Sequence, residues 1–249
     1  MLKSVAKSIC LRALETGLGY SDAPLNRLLK AACEAAHGRL DSEGVRIELD
    51  RYYSTLDLNA LAEQIDYASL VSRLRQPGGY KVDVLNVQTR QGGPVALLTF
   101  GARKLLLLRN RHVRFDLMIL RKGEQIPPHM HSGVVSGFYL VEGQVGIRHY
   151  DQAEDLPDRV LIKKTIDQTL DPGGYTTNSE SHDNIHWLFG HAEQSILFRF
   201  NTTNLPRRRF APGGNGARGY VDPNAILGTR DNYYYAQKIG ATDAKKLTF

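Results

Sequence analysis

The chain has 249 residues, of which 42% are apolar and 23% charged, with a formal net charge of +6. That is an ordinary globular mix, long enough for one well-filled domain with extensions. Its apolar runs are strand-sized and fall short of the roughly 18 residues a membrane helix needs. The basic residues are scattered apart from Arg207, Arg208 and Arg209, with no helix-turn-helix, zinc-finger or aromatic-basic motif beside them, so nucleic acid is not the expected partner.

The first third reads as helical. Val5, Ile9, Leu11, Ala13 and Leu14 recur at helical spacing, with Lys3 and Lys7 inside the pattern, which speaks against a signal peptide. A second helix is expected from an N-cap at Ser21 or Asp22, with Pro24 in its first turn and Leu25, Leu28 and Leu29 on one face. Thr55 to Leu74 predicts one or two more helices, ended by Pro77, Gly78 and Gly79. Cys10 and Cys33 are too few for a disulfide scaffold, which predicts a reducing, cytoplasmic setting.

After Gly79 the period changes. Tyr80 to Val87 alternates, and short strand-like runs follow at Val95–Phe100, Lys104–Leu108, Arg114–Leu120, Gly137–Val141, Val145–Tyr150, Arg159–Lys163 and Ser195–Phe200. Gly, Pro, Asp or Asn turns separate them, and such a series predicts an antiparallel barrel or sandwich. From Pro206 onward the chain is rich in Gly, Arg, Asn and Tyr, which predicts an irregular tail held against the barrel by Tyr220, Tyr233, Tyr234 and Tyr235. The expected organisation is a helical extension over 1–79, a barrel over 80–205 and a tail over 206–249.

His129 and His131 lie two apart in Ile126-Pro-Pro-His-Met-His-Ser-Gly. On a strand, residues i and i+2 share a face, so the two imidazoles can chelate one metal ion. Gly123, His129, His131 and Gly143 together resemble the first motif of the cupins. This resemblance implies a mainly β fold, a jelly-roll (double-stranded β-helix) barrel with the N-terminal helices as an extension. The cupin motif usually carries a glutamate ligand where this chain has Ser136; Glu142 sits off the motif and reads as a turn residue. An all-histidine set resembles the thiol dioxygenases, the group of cysteine dioxygenase, cysteamine dioxygenase and the plant cysteine oxidases. Phe115-Asp-Leu-Met-Ile-Leu leading to the His-x-His, and the stretch from Ile126 to Tyr150-Asp151, carry the same resemblance, which covers about Arg114 to Asn201.

By that resemblance the third ligand lies in Ser181-His-Asp-Asn-Ile-His-Trp-Leu-Phe-Gly. Asn184-Ile185-His186 matches the family's Asn-x-His, which makes His186 the ligand and His182 a neighbouring site residue. His182 is the alternative ligand. The remaining histidines, His37, His112, His149 and His191, have no motif support and read as solvated or structural. The implied cofactor is Fe(II), the implied reaction the oxidation of a small thiol to a sulfinic acid with O2, and the implied partners are a small molecule and O2. The family's cross-linked cysteine is replaced by Ser136, and anchoring on Ser195 puts Arg199 where the family has a tyrosine; an inward-facing Arg199 would bind a substrate carboxylate. Arg103, Lys104 and Arg109 are the alternatives for that anchor. A non-redox metal-dependent cupin enzyme (isomerase, lyase or hydrolase) and a non-catalytic ligand-binding cupin remain open on the sequence, as does a homo-oligomer.

Overall fold

The computed structural model describes residues 24–64, 67–84, 113–203, 205 and 218–249. The helix expected over 5–14, the strands expected over 95–100 and 104–108, and Arg103, Lys104, Arg109, His112 and Arg207 to Arg209 lie outside them.

Among the described residues four helices precede the strands: α1 (Pro24–Ala36), α2 (Ser42–Ser54), α3 (Leu58–Gln64) and α4 (Tyr67–Leu74). The last two divide the expected Thr55–Leu74 segment. The helix over 42–54 falls within the first third that reads as helical. The helix forms because Asp41 caps it, its side chain accepting the Gly44 N–H at 2.9 Å. Val45, Leu49, Tyr52 and Tyr53 then make one buried stripe, while Ile47 is left 40% exposed. The Tyr53 hydroxyl accepts the Phe200 N–H at 2.9 Å and lies 3.1 and 3.2 Å from the carbonyl oxygens of Gly137 and Phe198. This ties α2 to the sheet beneath it.

The strands are β1 (Lys81–Asp83), β2 (Val113–Arg121), β3 (Gln125–His131), β4 (Val135–Glu142), β5 (Val145–Asp155), β6 (Arg159–Leu170), β7 (Tyr175–Asn178), β8 (Ile185–Gly190), β9 (Gln194–Thr202), β10 (Arg218–Arg230) and β11 (Tyr233–Ile239); a short helix, α5 (Ala241–Ala244), follows. They form a five-stranded sheet in the order β1-β2-β9-β4-β7 and a closed six-stranded barrel in the order β10-β11-β6-β5-β8-β3. Every pairing is antiparallel, so the expected mainly β barrel with helices ahead of it is the observed architecture.

Three apolar layers follow from strand alternation. Leu117, Ile119, Phe198 and Phe200 turn outward to the helices and bury Leu28, Leu49, Tyr53 and Leu70. On the opposite face of the same strands Met118, Leu120, Phe138, Leu140 and Leu197 meet Val145, Ile147 and Leu188 of the second sheet. Met130, Tyr150, Val160, Ile162, Ile185, Val221 and Ala236 fill the closed barrel.

The irregular tail expected after Pro206 is corrected. Arg218 to Ile239 is a hairpin, turned at Asp231 with φ 55°, and it supplies the strands that close the barrel. Asp222-Pro-Asn and Gly228 look like turn residues but occupy register shifts within β10, where a proline's missing N–H is tolerated. No helix among the described residues is long and apolar enough to cross a membrane.

Candidate metal centre

The Pro127-Pro128 pair gives up two strand donors, and the β3–β8 register shifts between Ile126 and His129. Beyond the shift, His129 stands directly opposite His186 on β8, which in turn stands opposite His149 on β5. On the other side of β3, Tyr220 of β10 is opposite His129 and Arg218 opposite His131. Directly opposed residues share a face, so the row Tyr220, His129, His186, His149 crosses four strands. Its successive ring centroids are 5.9, 4.2 and 6.1 Å apart. His131 joins from the next position of the same face, its ring 4.6 Å from that of His129 and 5.5 Å from that of His186.

His129, His131 and His186 each offer one nitrogen, and these nitrogens all lie within 4.8 Å of one another. The rings are 1%, 9% and 1% exposed. Burial pushes the pKa of all three down. His129 and His186 fall well below the ordinary range, helped by the neighbouring histidines, and His131 falls to about 3, helped by Arg218 and Arg199. The imidazoles are therefore neutral near pH 7 and hold lone pairs ready for a cation.

The hydrogen bonds orient them. His129 Nδ1 donates to the Pro127 carbonyl at 2.7 Å, which leaves Nε2 as the free nitrogen. His129 Nε2 and His131 Nε2 are 3.0 Å apart. Two imidazole ligands at right angles, each about 2.1 Å from one ion, would be about 3.0 Å apart. His131 Nδ1 is buried with no hydrogen-bond partner, while its backbone N–H donates to Asn184 Oδ1 at 3.1 Å. Asn184 in turn donates to Gln152 Oε1 at 2.8 Å. The residues present thus fit a single transition-metal ion held by three nitrogens, with no carboxylate in the group among the described residues.

His182 does not join them: its side chain is 45% exposed and its Nε2 lies 3.3 Å from Asp183 Oδ2. Arg199 is opposite both Asp116 and Phe138 on the inner sheet face, and the Phe138 ring is 6.0 Å from His186. Its guanidinium is already ion-paired to Asp116, through Nε at 3.2 Å and through Nη2, with the arginine side chain 13% exposed. Glu142 accepts a hydrogen bond from the Tyr67 hydroxyl at 2.6 Å, away from the group. His149 is buried, with Thr176 Oγ1 3.2 Å from its Nε2 and Asp183 Oδ2 3.6 Å from its Nδ1. The sequence reading passed over Arg218, Asn178 and Gln152 and took Tyr220 as a tail contact alone; their place near the histidines depends on cross-strand register rather than on any local motif.

No protein-family model matches the chain, and neither does any curated protein sequence. Among solved structures it is similar to procruciferin, an 11S globulin from Brassica napus (14% identity over 40% of this chain and 22% of that chain, TM-score 0.32). It is also similar to a cupin superfamily protein from Desulfitobacterium hafniense (13% identity, 36% and 67% covered, TM-score 0.26). A third is the DMSP lyase DddQ from Ruegeria pomeroyi (13% identity, 39% and 41% covered, TM-score 0.28). The chain thus spans less than a quarter of the procruciferin chain and less than half of the lyase.

Proposed function

We propose that this protein is a metal-dependent enzyme of the cupin type, an iron-dependent dioxygenase that oxidises a small thiol to a sulfinic acid with O2. The observation that carries the reading is the buried group of three neutral imidazoles, His129, His131 and His186, without a carboxylate. Bound Fe(II) would supply the redox chemistry, with open positions for a thiolate and for O2. The chain's own residues hold the cation without cancelling its charge, which favours an anionic sulfur beside it. The Phe138 ring lies 6.0 Å from that of His186 and belongs to one apolar layer with Leu140, Leu188 and Leu197. Arg199 is neutralised by Asp116, so a substrate carboxylate gains less from it than from a free arginine. An amine-bearing or uncharged thiol therefore fits this wall better than a cysteine-like one.

Anaerobic loading with Fe(II), followed by O2 uptake with a panel of small thiols, tests the proposal. Thiol-dependent O2 consumption and a sulfinic product are expected; equal turnover with zinc in place of iron would exclude the redox reading. The same ligand set favours one second reading, a non-redox enzyme, because three imidazoles also make a catalytic zinc site. Metal uptake with no O2 consumption points there, and a chain that takes up no metal points to a ligand-binding cupin.

A further inference from the structure

Of the three rings in the group, His186 has the most ambiguous surroundings. Its Nδ1 is 2.7 Å from Asn178 Nδ2 and 3.2 Å from the backbone oxygen of Asn184. An amide nitrogen can only donate, and a carbonyl can only accept. If Nδ1 is bare it accepts from Asn178, the proton sits on Nε2, and that nitrogen has no lone pair for a metal. If Nδ1 carries the proton it donates to Asn184, and Asn178 must turn its amide so that oxygen faces the ring. Amide nitrogen and oxygen occupy nearly the same space, so either orientation fits.

The far end of the amide permits both. Ser136 Oγ donates to Asn178 Oδ1 at 2.6 Å, and a hydroxyl accepts as readily as it donates. Ser136, Asn178 and His186 are all buried, so water does not substitute for a missing partner. β4 carries Ser136 and β7 carries Asn178, directly opposite each other in the five-stranded sheet, while His186 comes from the closed barrel. The chain Ser136–Asn178–His186 therefore crosses the gap between the two sheets.

We infer that Asn178 is a positioning residue for the metal site: with Ser136 it holds the His186 ring and, by turning its amide, sets which ring nitrogen carries the proton and which keeps a lone pair for the metal. The inference rests on the metal-binding reading proposed above. It places the control of metal affinity partly in the helix-facing sheet, which supplies none of the ligands.

Co(II) titration of the full chain against a competing chelator tests it. Asn178→Leu keeps the bulk and removes both hydrogen bonds, and a 10- to 100-fold weaker Co(II) affinity is expected, the usual cost of losing a ligand's hydrogen-bond partner. Asn178→Asp presents oxygen to both neighbours, so affinity should return to within about threefold of wild type or exceed it. Ser136→Ala should weaken binding by less than Asn178→Leu. A purely structural role would lower the melting temperature of both Asn178 variants and leave Co(II) affinity unmoved, which overturns the inference, as does an Asn178→Asp variant as weak as Asn178→Leu. Should Asn178→Leu fail to fold, Asn178→Asp and Ser136→Ala decide it alone, a weaker Asn178→Asp or an unchanged Ser136→Ala counting against it. A wild-type chain that takes up no Co(II) overturns the metal reading instead. Imidazole 15N shifts then report the positioning: one His186 tautomer in wild type and averaging in Asn178→Leu supports it, and the same behaviour in both proteins overturns it.

Discussion

His129 and His186 stand directly opposite each other on neighbouring antiparallel strands, with ring centroids 4.2 Å apart. Neither side chain can approach the other more closely without shifting a strand whose opposite face packs into the closed barrel through Met130 and Ile185. The pair is held by two rigid elements rather than by loops, and His131 completes the group two residues further along β3.

Removing any one of these rings should abolish stoichiometric metal binding. His129→Ala, His131→Ala and His186→Ala should each weaken affinity by more than about 100-fold, the upper end of what loss of a supporting hydrogen bond costs. His182→Ala, altered at an exposed position outside the group, should keep full metal content by elemental analysis. Loss of metal in His182→Ala with retention in His186→Ala would reverse the assignment of the third ligand.

The metal-free protein should lose stability as the pH falls below about 6.5. The folded state holds these histidines neutral, with His131 lowered from 6.5 to about 3, so the unfolded chain binds more protons in that window. The stabilisation is fully present above about pH 6.5 and is gone once the pH has fallen to about 3. Each such ring contributes a slope of up to about 1.4 kcal/mol per pH unit. Urea midpoints measured at pH 7.5 and 5.0 check this, and His131→Gln should flatten the difference. Equal midpoints at the two pH values would contradict it.

Arg199→Ala should destabilise the fold by about 3 kcal/mol, because it removes the ion-pair partner of the buried Asp116 carboxylate and leaves Lys81 3.9 Å away. The double variant Arg199→Ala with Asp116→Asn should recover part of that loss. Chemical denaturation reads both. A single variant as stable as wild type would show that the pair contributes little and would free Arg199 for the substrate-anchoring role expected from the sequence.

Gly123 and Gly143 both belong to the motif that pointed to the fold, yet the structure gives them different costs. Both have positive φ, +80° and +84°. A Cβ on Gly123 would meet nothing within 4 Å, so Gly123→Ala should cost only the left-handed strain of about 1–2 kcal/mol. A Cβ on Gly143 would fall 2.3 Å from the Gln194 carbonyl oxygen and 2.7 Å from Ser195 Cα, both backbone, so Gly143→Ala should cost clearly more and shift the start of β9. Thermal midpoints that place the two variants together would contradict this.

What the sequence by itself determined is local. The two-residue period places His129 and His131 on one face of a strand, Gly123 and Gly143 mark the turns around it, and alternation across 114–120 and 195–200 marks two strands that indeed pair as β2 and β9. Covalent geometry decides these features within a few residues. The same local reasoning expected helices in the first third, and α2 is one of them, capped by Asp41 and buried along Val45, Leu49, Tyr52 and Tyr53. It misjudged the segment after Pro206, expected as an irregular tail, where Arg218 to Ile239 form β10 and β11 and the register shifts absorb Asp222, Pro223 and Gly228.

Only the tertiary structure decided which histidine completes the group, that Asn178 reaches His186 from the other sheet, that Arg218 and Tyr220 border the site, and that Asp116 neutralises Arg199. Each of these is a matter of cross-strand register or of packing between sheets. A shift of one residue in pairing would turn every side chain of a strand to the opposite face. Register is set by which apolar face the whole barrel buries, through residues such as Ile147, Leu188 and Val221, and no short stretch of the chain contains that information.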